Sequence, residues 1–224
     1  MSKKSLAIVI IVVCAVALSS YAAMAYSDSA AAKPGKILRG QQFSASDDTV
    51  AIKGNNITVT QKEINDVAEV YKQSGDTSPV DSAVRFLLET KVLYNKAVSE
   101  GYFISDDEYD ADVKKLKESI KTAENYTMYE DLVNGYGGEE AYYSDLKEKY
   151  KISMAINKYL NAERNQYFSS GDALQNVPEE GTTDLLTGWN DVKDNLVTGL
   201  IKDEDITIES NELKDLPYLK LFAD

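Results

Sequence analysis

Between Thr49 and Val70 the chain reads TVAIKGNNITVTQKEINDVAEV, and this stretch leaves little choice of local structure. Val50 and Ile52 alternate with Ala51 and Lys53, and Ile57 and Val59 alternate with Thr58 and Thr60. A period of two is the pattern of half-buried strands, and Gly54-Asn55-Asn56 between the runs predicts a hairpin turn. Thr60 stands three residues before Glu63, the spacing of a capping box, and Val59 and Ile64 sit at the two positions of a hydrophobic staple. Strand therefore passes into helix at a fixed point. A lone hairpin is marginal in water, so something else in the chain must pair with it or cover it.

The rest of the chain reads as helices. The first runs from about Gln61 to Gln73, stopped by Ser74-Gly75-Asp76. Ser78 and Pro79 open a second, where a missing N–H does no harm, and Gly101 ends it after about Glu100. Its apolar set is Val84, Leu87, Leu88, Val92, Leu93, Tyr94, Ala97 and Val98, too broad for one face, so it reads as a central helix. Ser105 and Glu108 form a second capping box, with Ile104 and Tyr109 as its staple, for a helix to about Thr122. Thr127 and Glu130 predict a third box and a short helix ending near Gly135. After Gly137-Gly138 one long helix extends from Glu139 to about Phe168. Residues 169–182 read as a loop. A last helix starts at Thr183, with Leu185, Trp189, Val192, Leu196 and Leu200 on one stripe. Ile206-Thr207-Ile208-Glu209 alternates again and is the candidate third strand for the opening hairpin. The expected fold class is mainly α, with a small antiparallel sheet made by the N-terminal hairpin and a C-terminal strand.

The N-terminus is of another kind. Ser2-Lys3-Lys4-Ser5 is a basic head, Leu6 to Leu18 an apolar run, and Ala23-Met24-Ala25 a small-x-small site. Residues 1–25 read as a secretory signal peptide. The run from 6 to 24 equally satisfies an uncleaved membrane anchor. Either sends the remainder across a membrane, so the expected location is extracytoplasmic, anchored or secreted. Cys14, the one cysteine, is preceded by Val12 and Val13 rather than the small residues of a lipid attachment site. Residues 26–48 form a tether, 49–212 a helical domain and 213–224 a tail.

Composition then limits the chemistry. The whole chain carries −13, and because residues 1–25 hold Lys3 and Lys4 and no acid, the remainder carries −15. That charge disfavours nucleic acid and anionic lipid as partners. There is no histidine and no cysteine beyond residue 14. Ser-His-Asp and Cys-His catalysis and the usual zinc ligands are thereby excluded. Asp106, Asp107, Glu108, Asp110 and Asp112 read as acids favouring a helix N-terminus, since they lack the spacing and glycine of a calcium loop. No catalytic, cofactor or metal residue is expected. A carboxylate hydrolase would need two acids about 5–10 Å apart in a cleft, and the acids here fall at caps and on solvated faces. Asn56-Ile57-Thr58 and Asn125-Tyr126-Thr127 are N-glycosylation acceptors in a glycosylating source.

Taken in order, the strand-turn-strand-capped helix VAIKGNNITVTQKEI, the segment AVRFLLETKVLYNKAVSEGYFISDDEYDADV and the long helix EEAYYSDLKEKYKISMAINKYL resemble the N-terminal chaperone domain of SurA- and PrsA-type extracytoplasmic foldases. That domain is related to the peptide-binding part of trigger factor. The resemblance covers roughly Val50 to Leu160 with the last helix and strand. In that family the long helix is often followed by a parvulin-type prolyl isomerase domain. Here about a dozen loop residues occupy that place, and the histidines of such a site are absent. The resemblance therefore implies a holdase without isomerase activity, whose partners are unfolded or nascent exported polypeptides. The alternative is a cell-surface assembly module that binds one folded partner.

A holdase needs apolar surface that tolerates water. The chain has 15 tyrosines against 5 phenylalanines and 1 tryptophan, and tyrosine combines an apolar body with a polar tip. Tyr94, Tyr102, Tyr142, Tyr143, Tyr150 and Met154 are the expected client-binding residues, with Met128 as further adaptable lining.

Overall fold

The computed structural model describes residues 49–122, 126–169 and 184–222. The apolar run, the tether, Asn125 and most of the loop over 169–182 lie outside these residues, as do the side chains of Met128 and Leu185. The elements are β1 (Val50–Lys53), β2 (Thr58–Thr60), α1 (Gln61–Gln73), α2 (Pro79–Ser99), α3 (Asp106–Ile120), α4 (Tyr126–Tyr136), α5 (Glu139–Ser169), α6 (Asp184–Asp203) and β3 (Thr207–Ile208). The fold is mainly helical with one small antiparallel sheet, as expected. Two compact units divide the described chain. The first holds 65–80 and 104–153; the second holds 49–64, 81–103 and 154–222.

The second unit contains the sheet, in the order β2-β1-β3. The C-terminal strand is thus the third strand that the hairpin requires. Ile52 pairs with Ile208 and Lys53 with Thr207. The simple alternation expected for β1 does not hold. Val50 pairs with Thr60 and Ile52 with Val59, so Ala51 is an extra residue bulged from the ladder. A bulge sets two residues of one strand against one of its partner. It turns Val50 outward and leaves Ala51 and Ile52 both fully buried. The Ala51 carbonyl instead accepts from the N–H groups of Glu209 at 2.9 Å and Ser210 at 3.2 Å.

At the hairpin turn Gly54 N–H donates to the Ile57 carbonyl at 2.9 Å. The turn is held from outside by Glu204, a buried carboxylate just past α6. Glu204 accepts from the Asn56 backbone N–H at 2.6 Å and from Asn56 Nδ2 at 3.3 Å. Its own carbonyl accepts from Asn55 N–H at 2.8 Å. Asp205, at φ 49°, then reverses the chain into β3. Left-handed backbone is open to aspartate at modest cost because its short side chain can bond locally.

The capping box at Thr60 is present in both directions: Glu63 N–H donates to Thr60 Oγ1 at 3.2 Å and Thr60 N–H to Glu63 Oε2 at 2.8 Å. Glu63 also pairs with Lys91 of α2 at 2.7 Å. α2 buries Ala83, Val84, Leu87, Leu88, Val92, Leu93 and Ala97, which go round more than one face. Val98, expected among them, is exposed. It lies in the last turn, where Gly101 at φ 84° closes the helix with Tyr102 N–H donating to the Ala97 carbonyl at 2.8 Å. On α6 the buried stripe differs from the expected one. Trp189, Val197 and Ile201 are buried, while Val192 is exposed and Leu196 and Leu200 are half-buried. Trp189 is buried as expected, and beyond it the stripe shifts by one residue, so β-branched Val197 and Ile201 replace the leucines before them. Residues 213–222, read as a tail, form short 3-10 turns that bury Leu213, Tyr218 and Leu219. Tyr218 N–H donates to Asp81 Oδ1 at 3.0 Å, and Arg85 lies over the Tyr218 ring.

In the first unit Ser105 caps α3 with a complete capping box to Glu108. Ile104 and Tyr109, its staple, are both buried. Asp106 pairs with Lys151 and Lys147 of α5, and these two ammonium groups hold its carboxyl below the usual range. The third box is absent, because α4 already starts at Tyr126 and Thr127 lies inside it. Ser105→Ala is expected to lower stability by about 1 kcal/mol, the usual worth of an N-cap. The urea midpoint of the far-UV circular dichroism reads this out. An unchanged midpoint would mean that the Asp106 pairs fix the helix start alone.

Candidate functional site

The six expected client-binding residues fall in both units. Tyr142, Tyr143 and Tyr150 belong to the first; Tyr94, Tyr102 and Met154 belong to the second.

In the first unit Tyr142 and Tyr143 are only 3% and 7% exposed. The Tyr142 ring lies 5.4 Å from Tyr136 and 5.3 Å from Tyr143, both edge to face. Tyr150 is half-buried, edge-on to Tyr109 at 5.3 Å, and its hydroxyl donates to Asp112 Oδ2 at 3.3 Å. The Tyr109 hydroxyl donates to the Tyr143 carbonyl at 2.6 Å. Burial pushes the Tyr109 phenol up to about 12. Burial, with the neighbouring Asp112 carboxylate, raises Tyr150 as well. These phenols therefore remain neutral donors at physiological pH. The aromatic set of this unit is mostly engaged with itself.

The second unit is different. Seven of the eight large apolar side chains that are exposed among the described residues belong to it: Val50, Phe86, Val98, Phe103, Phe168, Val192 and Leu221. Several follow α2. Phe86, Thr90, Tyr94 and Val98 are successive i, i+4 positions, which are neighbours on a helix surface. Phe86 and Val98 are exposed, and Thr90 and Tyr94 are half-buried. Beyond the helix end come half-buried Tyr102 and Phe103, the latter 62% exposed. Tyr102 leans on Tyr159 of α5 at 5.9 Å. Lys158 Nζ donates to the Phe103 carbonyl at 3.4 Å and fixes the loop there. Met154 is half-buried.

Tyr94 and Tyr102 are among the residues expected from the sequence, whereas Phe86 and Phe103 are not. The usable signal is one phenylalanine within the broad apolar helix, Phe86, and another just past its end, Phe103. Among the described residues no group of acids is placed to hold a metal ion, and no helix is long and apolar enough to cross a membrane. No family model matches the chain, and neither the curated proteins nor the solved structures give a match.

Proposed function

We propose that this chain is an exported holdase that binds unfolded or extended polypeptide segments without prolyl isomerase catalysis. The observation that carries the reading is the row on α2 continued by Phe103. It offers apolar and aromatic groups to solvent on a helix whose other faces are fixed in a core. An extended chain with intermittent apolar side chains would bury those groups and gain about 25 cal/mol for each Å² covered. The order of elements, with the hairpin of 50–60 and the strand at 207–208 closing one small sheet, supports the same reading. So does the acidic charge, which keeps an apolar surface soluble.

The test is light scattering. The chain lacking residues 1–25 is mixed with chemically denatured, aggregation-prone proteins, and turbidity is followed on dilution. Suppression at near-equal ratios with several unrelated clients is expected. Combined Phe86→Ser, Val98→Ser and Phe103→Ser changes should weaken it about tenfold or more, since loss of about 1.4 kcal/mol is a factor of ten. No suppression with any client would sink the holdase reading. It would favour an assembly module for one folded partner, to be sought by pull-down with the same three changes as control.

A further inference from the structure

Two phenols of the first unit meet oxygen to oxygen. Tyr129 of α4 and Tyr143 of α5 have their hydroxyls 3.1 Å apart. The Tyr129 hydroxyl also bonds to Glu139 Oε1 at 3.1 Å. A phenol has one proton to give. A carboxylate only accepts, so Tyr129 donates to Glu139 and Tyr143 donates to Tyr129. The result is a directed relay, Tyr143 to Tyr129 to Glu139, ending at an exposed carboxylate. Lys117 pairs with the other oxygen of Glu139 at 3.4 Å, and its ammonium lies 4.4 Å from the centre of the Tyr143 ring. Burial and the hydrogen bond to Tyr143 raise the Tyr129 phenol well above its ordinary range. Half-buried Tyr126 places its ring 6.1 Å from Tyr129.

We propose that Tyr129 and Tyr143 are a cross-linking pair, which a one-electron oxidant joins by a carbon–carbon bond between ring carbons ortho to the two hydroxyls, stapling α4 to α5. Phenols oxidise most readily when electron and proton leave together, and the relay supplies the proton acceptor. Each ring gives one electron, so two equivalents of oxidant are each reduced once. The Tyr129 proton passes to Glu139 and on to water. Tyr143 gives its hydrogen atom along the shared hydrogen bond to the Tyr129 phenoxyl, and the restored Tyr129 phenol loses a second electron to the oxidant while its proton again passes to Glu139. The two phenoxyl radicals couple at carbons next to the facing oxygens. Each coupled carbon then returns its hydrogen, as a proton, to its own oxygen, which restores two phenols. Tyr126 is the entry point through which a larger oxidant draws electrons from half-buried Tyr129 and, through it, from buried Tyr143. The only cysteine in the chain is Cys14, so no disulfide can serve this end.

The test oxidises the full-length chain, solubilised in mild detergent, with photogenerated tris(bipyridyl)ruthenium(III). Dityrosine fluorescence should appear on the monomeric chain. Mass spectrometry of a digest should find the peptides carrying Tyr129 and Tyr143 joined with loss of two hydrogens. Tyr129→Phe and Tyr143→Phe should each abolish that species and most of the fluorescence. Glu139→Gln should slow its formation while leaving the ring packing in place. Cross-links that map elsewhere, oxidised but unlinked Tyr129, or undiminished yield in either phenylalanine variant would overturn the proposal. Mapping on the unsubstituted chain decides it even where a variant fails to fold.

Discussion

Ile64→Ala is expected to cost about 3–4 kcal/mol, because it removes buried methylenes from a site that cannot collapse. Ile64 is fully buried in the first turn of α1, and Val59 at the other staple position is fully buried too. The capping box pins the backbone between them on both sides, and the Glu63 pair with Lys91 ties the same turn to α2. A cavity there stays open. Urea unfolding followed by far-UV circular dichroism reads the loss, and Ile64→Val should cost only about 1 kcal/mol by the same argument. A loss below about 1 kcal/mol for the alanine would mean that the strand-to-helix junction relaxes around the gap, contrary to the pinned geometry.

Glu204→Ala is expected to cost about 2 kcal/mol, the worth of hydrogen bonds to a charged group whose partners are left behind. The carboxylate holds the hairpin turn through the Asn56 N–H and side chain. It also stands where the chain turns from α6 into β3. The turn packs closely against this side chain, since a Cβ on Gly54 would come within 2.9 Å of Ile57 Cγ1 and 3.0 Å of Glu204 Cβ. Glu204→Gln keeps one acceptor but sets an amide NH₂ against a donor, so it should lie between alanine and the parent. Hydrogen exchange localises the effect. Amides of β1 and β3 should lose protection before those of α2. Uniform loss across the second unit would contradict a latch at the turn.

Local pattern carried much of the fold. Thr60-Glu63 and Ser105-Glu108 each satisfy donors within a single turn, so both boxes were legible and both are present. Gly101 reads as a stop because left-handed backbone favours glycine. Thr127-Glu130 has the same spacing as the other boxes and failed. A box needs the threonine outside the helix, and α4 begins one residue before it. The candidate surface was legible only in part. Tyr94 and Tyr102 are half-exposed in the second unit, while Tyr142 and Tyr143, equally aromatic, are buried among other rings of the first. Nothing in residue type separates the two cases.

The sequence by itself determined the helical class, the opening hairpin, its capped exit and a third strand from the far end of the chain. These follow from periodicity and from hydrogen bonds between residues three or four apart, which are properties of neighbours in sequence. Only the tertiary structure decided the bulge at Ala51, the turned stripe of α6, the burial of 213–222 and the role of Glu204. The bulge, the burial of 213–222 and the role of Glu204 each depend on a partner far along the chain: Ser210 for Ala51, Asp81 for Tyr218, Asn56 for Glu204. Exposure follows the same logic, because a side chain is buried by whatever packs over it. Phe103, open to solvent, and Tyr142, covered by other rings, show the difference.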